Sequence, residues 1–267
     1  MINLTILYEL VIYEILMAIL LLGFSVLFAQ RYREKQRKAI KYLALTYLMF
    51  TLGALMAAYG HLIYTKYWGL ILMDYTIIPY LLTGYPIPLD MRRVLLIFDQ
   101  TTTSIILHFE GYPTLLVYQW SAALIPAAIG HLFIYLFTFE AFKEVRIKYV
   151  VPYLIFMGVV IAFLIGNIYI TVNWFLIFML GLVTQGLLIY YSIKAMRITD
   201  SKVYKRGFLL VSITAVLFIL FFLSYLLDSI LGGWTIFLFV GWTLVMISAM
   251  PTYIGYVLPD WFRKRYE

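Results

Sequence analysis

The chain has 267 residues, of which 64% are hydrophobic and 12% charged, with a mean hydropathy of +0.95. A soluble domain is about 45–50% apolar and about 25% charged, so the composition excludes one and predicts an integral membrane protein. The formal net charge of +7 first reports orientation in such a chain, and no nucleic-acid partner is expected.

Cysteine is absent, which excludes disulfides, thiolate metal sites and iron–sulfur clusters. Three Asn and five Gln in the whole chain are few heat-labile residues and point to a thermophilic source.

A bilayer core of about 30 Å takes about 20 mostly apolar residues as a helix. In chain order, seven segments meet that length: 7–29, 42–63, 115–139, 150–170, 172–193, 208–229 and 233–256. The first has no basic segment before it and no small-residue cleavage site after it, so it reads as a retained helix. Between the second and third spans, residues 64–114 form an insertion in a single seven-helix domain covering 1–267. Within it, 68–88 is interrupted by Asp74, Pro79 and Gly84 and reads as an interfacial or re-entrant helix. The runs VLLIF (94–98) and SIILHF (104–109), separated by DQTTT, read as a β-hairpin. The insertion is expected to cap the outer mouth of the bundle or to form a lid over a ligand site.

Lys and Arg orient the spans. Seventeen of the twenty lie in the loops after spans one, three and five and in the tail; only Lys66, Arg92 and Arg93 lie on the other side. The positive-inside rule then places the N-terminus and the insertion outside and the C-terminus in the cytoplasm of a plasma-membrane protein. Trp68, Trp120, Trp174, Trp234 and Trp261 fall near span ends, where amphipathic rings favour the interface, and Trp242 falls well inside the seventh span. Pro126 and Pro251 interrupt spans three and seven, and the backbone groups they free need partners in the bundle. Gly53/Ala57, Ala54/Ala58 and Ala123/Ala127 are close-packing pairs.

Ionisable residues inside spans cost about 2.5–3.5 kcal/mol on insertion scales and so mark candidate sites. Glu14 is the deepest carboxylate, ~6 Å inside the outer edge of the first span. Asp228 ends the sixth span, Gln119 lies in the outer quarter of the third, and Gln185 lies near the middle of the fifth. With His61 at the end of the second span, these residues define a shared outer ligand pocket if each faces inward, and five separate packing residues if not. His131 lies ~12 Å deep from the inner edge of the third span, as a hydrogen-bonding core residue, a proton relay or a ligand. The depths of His61 and His131 place them too far apart for one haem; His61 with His108 is the remaining pair, and no cofactor or metal is expected.

Enzyme signatures are missing. HExxH, GxSxG, the P-loop and GxGxxG do not occur, nor do paired aspartate-rich motifs, so a non-enzymatic protein is expected. Residues 233–256 hold no lysine, which excludes a retinal Schiff base. Spans one to three and five to seven share no repeated motif of the kind found in transporters.

Several segments carry a resemblance. The first span ends in RYREKQRK (31–38), the second reads YLALTYLMFTLGALMAAYG (42–60), the third YQWSAALIPAAIGHLFIYLFTFEAF (118–142), and the seventh exits through TYIGYVLPDWFRKR (252–265). The pattern resembles the seven-helix membrane sensor modules at the N-terminus of some archaeal and bacterial histidine kinases. The resemblance implies a receptor that binds a small or lipidic ligand from outside. No catalytic histidine region or ATP-binding domain lies in the 267 residues, so it implies signalling through a separate cytoplasmic protein. The other readings are a structural subunit of a larger respiratory or transport complex, and a proton- or cation-coupled transporter using Glu14 and Asp228.

Overall fold

The computed structural model describes residues 4–73, 94–97, 104–109, 115–119, 121–143, 145–166, 170–231 and 236–266. Its elements, in order, are α1 (Leu4–Lys35), α2 (Lys38–Met73), β1 (Val94–Ile97), β2 (Ser104–Phe109), β3 (Leu115–Gln119), α3 (Ser121–Phe142), α4 (Ile147–Gly166), α5 (Ile170–Ile198), α6 (Lys202–Ile230), α7 (Ile236–Val257) and α8 (Asp260–Tyr266). Among the described residues, α1 to α7 are the seven helices long and apolar enough to cross a membrane. By that measure the chain is a multi-pass membrane protein.

The helices run alternately up and down. α1 packs on α2 and α7, α2 on α3, α3 on α5, α5 on α6 and α6 on α7, which closes a ring of six. α4 stands outside it against α3 and α5; only 17% of its span is buried, against 35% or more in the other six.

Aromatic layers bind the ring. Near the end that carries the basic loops, Phe28 of α1 stacks on Tyr47 of α2 at 5.5 Å and meets Tyr256 of α7 at 6.0 Å, while Phe137 of α3 meets Tyr256 at 5.1 Å. In the middle, Phe50 of α2 stacks on Phe218 of α6 at 5.6 Å. Small residues let the backbones approach: a Cβ on Gly53 would lie 3.2 Å from the Ala123 carbonyl of α3, and one on Gly255 3.1 Å from the Gly207 carbonyl of α6. Dispersion between closely approaching backbones is the main attraction available in lipid, and the glycines and alanines permit it.

The basic end is built from tight turns. Gln36 (φ 52°) ends α1 in the left-handed region, with its N–H donating to the Tyr32 carbonyl at 2.7 Å, and α2 starts two residues later. Leu258 (φ 49°) ends α7 in the same way, and Pro259 leads directly into α8. A left-handed leucine is uncommon. Here the Arg263 Nε donates to its carbonyl at 2.9 Å, and its side chain fills the space beside Gly207. Pro251 removes a helical N–H from α7; around it Thr252 Oγ1 donates to the Ser248 carbonyl at 2.6 Å and lies 3.2 Å from Thr214 Oγ1 of α6.

The bounds of the insertion differ from those expected. α2 continues through 64–73 as helix, because YTKYWGLILM contains no proline and its single glycine does not break a helix already nucleated by 38–63. Residues 115–119, taken as the start of the third span, form β3 instead. A short apolar run such as LLVYQ fits strand and helix alike, and pairing with β2 decides it. β1 and β2 are antiparallel with Leu95 opposite His108, and β2 and β3 are antiparallel with Ser104 opposite Gln119; the register shifts between Ile105 and Ile106. Residues 74–93 and the DQTTT turn lie outside the described residues, as do Trp68's and Trp120's side chains.

Candidate functional site

Among the described residues, Glu14 with Asp228, and His131, mark two buried polar centres. The first is at the end away from the basic loops, between α1, α5, α6 and α7. On α6, Phe221, Tyr225 and Asp228 recur at helical spacing and so share a face. Tyr225 is boxed by rings: Trp174 of α5 at 4.4 Å, Phe221 at 5.1 Å and Trp242 of α7 at 5.7 Å, edge-on. The carboxyls of Glu14 and Asp228 both lie within electrostatic reach of its hydroxyl. Glu14, Asn173, Tyr225, Asp228 and Trp242 are all buried.

Tyr225 Oη and Trp242 Nε1 are buried there with no hydrogen-bond partner among the described residues. A buried donor left unsatisfied costs about 1–3 kcal/mol, and native structures keep few of them. Two in one cluster, beside aromatic rings, form a constellation able to hold a small polar molecule: an acceptor for the O–H and N–H, apolar edges against the rings. Tyr13 seals the α1–α7 seam, its hydroxyl 3.2 Å from Thr243 Oγ1 and its ring 6.0 Å from Phe239.

The second centre is His131 of α3, fully buried in mid-bundle. Its Nδ1 lies 2.9 Å from Thr184 Oγ1 of α5. That hydroxyl has one hydrogen, and it points to the Leu180 and Gly181 carbonyls at 3.0 and 3.2 Å. Thr184 therefore accepts, His131 carries its proton on Nδ1, and the Nε2 lone pair is turned elsewhere. Nε2 has no partner among the described residues, and neither does Gln185 Nε2, the next residue on α5. Phe222 at 4.8 Å and Phe50 at 5.7 Å hold the ring.

The rings link the centres: Tyr225 to Phe221 (5.1 Å), Phe221 to Phe222 (4.7 Å), Phe222 to His131 (4.8 Å) and His131 to Phe50.

Of the six residues singled out from sequence, Glu14 and Asp228 come together around Tyr225, while His131 and Gln185 lie in the α3–α5 region. His61 lies in α2 and Gln119 in β3, but their side chains are outside those described, as is that of His108, so a shared outer pocket including them is not among the described contacts. Sequence reasoning does not pick out Tyr225 or Thr184, and it marks Trp174 and Trp242 only by their depth in the spans. The spacing of Phe221, Tyr225 and Asp228 carried a signal for the first; Thr184 carried none. Among the described residues, no three His, Asp or Glu side chains gather as a metal-holding group.

No protein-family model matches the chain, and no curated protein or solved structure matches it either.

Proposed function

We propose that this chain is a non-enzymatic, receptor-like plasma-membrane protein that binds a small ligand in the Glu14–Tyr225–Asp228–Trp242 cluster and signals through a separate cytoplasmic protein. The carrying observation is the pair of buried donors, Tyr225 Oη and Trp242 Nε1, without partners among the described residues. The distribution of Lys and Arg supports an N-terminus outside and a cytoplasmic C-terminus. In that orientation the cluster lies in the outer half of the bundle.

A ligand in the cluster touches α1, α5, α6 and α7. α6 and α7 meet again at Gly207, Gly255 and Leu258, beside α8 and the basic loops. A small shift of α7 against α6, at the Pro251 interruption, would reach the cytoplasmic face by that seam. It signals to the extent that the ligand prefers one arrangement over the other.

Cross-linking in the native membrane, followed by purification in mild detergent, tests the reading. The expected product is a soluble signalling protein linked through the basic loops or α8. Cross-links only to other membrane subunits along the outward face of α4 would replace the receptor with a structural subunit. A second reading, proton- or cation-coupled transport, is favoured by two buried carboxyls acting on one tyrosine.

A further inference from the structure

The α3–α4 turn presents a second, unrelated site. Lys143 Nζ donates to the Tyr149 hydroxyl at 3.1 Å and lies 4.4 Å from the centre of its ring; Lys148 Nζ lies 5.2 Å from the same centre. Two ammonium groups thus converge on one tyrosine. The platform is fixed. Tyr149 stacks on Phe139 at 5.3 Å, and its carbonyl accepts from the Tyr135 hydroxyl at 2.8 Å. Tyr135 in turn stacks on Tyr153 at 4.1 Å.

Like charges repel, and ring faces offset only part of that repulsion. The convergent ammoniums and the Tyr149 hydroxyl, whose own hydrogen is not used by the bond from Lys143, form a donor set suited to one phosphate. Bulk charge does not explain it: Glu140 and Glu144 share the segment with Lys143, Arg146 and Lys148. The geometry of the pair is what selects an anion.

The exposed apolar surface of α4, which begins beside Lys148 at Ile147, points to the source of the phosphate. Ile147 is 80% exposed, and Val151, Leu154, Ile155, Val159 and Phe163 continue its exposed stripe along α4, the helix outside the ring. We infer that Lys143, Lys148 and Tyr149 bind the phosphate of an anionic phospholipid whose acyl chains lie along the outward face of α4. This site is independent of the receptor reading.

Native mass spectrometry of the full chain released from bilayers of mixed phosphatidylglycerol and phosphatidylcholine tests it. The wild type is expected to retain phosphatidylglycerol preferentially. Lys143→Gln with Lys148→Gln should weaken that retention roughly thirtyfold, since each basic residue near a lipid surface contributes about one factor of five. Tyr149→Phe, which keeps the ring, should weaken it severalfold. The control pair Lys202→Gln with Lys205→Gln, at the start of α6 and without the tyrosine platform, should weaken it clearly less than the Lys143 and Lys148 pair. Equal loss in both pairs, or no preference in the wild type, would overturn the site. Displacement of the lipid by an equal concentration of inorganic phosphate would overturn the lipid assignment in favour of a free-anion site.

Discussion

Gly207 and Leu258 are matched in shape: a β-carbon on Gly207 would lie 2.8 Å from Cδ2 of Leu258, the left-handed residue that turns α7 into α8. Leu258 closes the seam between α6 and α8, and behind it Phe262 is buried while Arg206 lies 5.8 Å from the Tyr266 ring. Gly207→Val should expel Leu258 and release α8, at about 1–3 kcal/mol as for other overpacked sites. Protease cleavage within 259–266 should become faster and the fluorescence of Trp261 more mobile. Unchanged cleavage would show that α8 docks without this fit.

Thr184→Val removes the acceptor for the His131 Nδ1–H while nearly preserving volume. Polar contacts between membrane helices average about 0.6 kcal/mol and reach about 1.7, so a loss in that range is expected. The doubly substituted His131→Phe, Thr184→Val protein should recover part of it, since the imidazole N–H that lost its acceptor is then gone. A double-mutant cycle by denaturant unfolding in detergent measures the coupling; a coupling energy of zero would contradict the bond.

Tyr225→Phe separates stability from binding. Deleting a buried hydroxyl without a partner should leave the empty protein as stable as before or more stable by about 1 kcal/mol, a rise of about 2–4 °C in Tm for a chain of this size. Differential scanning fluorimetry reads it. A fall of several degrees would show that the hydroxyl is satisfied and would remove the main support for a ligand there.

Glu14→Gln discriminates receptor from transporter. In the transport reading proton- or cation-driven flux into proteoliposomes disappears while the protein still assembles. In the receptor reading no such flux exists in the wild type. Measurable wild-type flux abolished by Glu14→Gln would contradict the receptor.

The Tyr149 hydroxyl raises the Lys143 pKa above the ordinary lysine value of 10.5, chiefly by accepting its hydrogen bond. A raised basic pKa means the bond's contribution is present below the unfolded-state pKa and is lost as pH rises through the folded-state value. At mildly alkaline pH, Lys143 should therefore be acetylated more slowly than Lys202, and Tyr149→Phe should remove the difference. Equal rates in the wild type would contradict the bond.

Composition and the spacing of apolar runs carried the seven helices, and the placement of Lys and Arg gathered the basic loops at one end. Gly53 and Ala123 were legible as close-packing positions, though not as partners of each other. The pairing of Glu14 with Asp228 around Tyr225 was not legible. Their helices are apolar on nearly every side, so the periodicity that reveals a buried face in a soluble helix is weak, and more than 200 residues separate the two carboxyls. The same reason hid the His131–Thr184 contact. LLVYQ (115–119) forms a strand where the spacing predicts helix, because so short a run settles its conformation through a neighbour, β2, and not through its own preference.

Tyr225 and Trp242 are proposed to hold a ligand. Thermal unfolding in nanodiscs against a panel of small polar molecules, run in parallel on the wild type and on Tyr225→Phe, Trp242→Phe, tests it directly. At least one compound should raise the wild-type Tm while leaving the variant unchanged, and should quench Trp174 at the same concentrations. A panel in which every stabilising compound acts equally on both proteins, or in which none separates them, would contradict the claim.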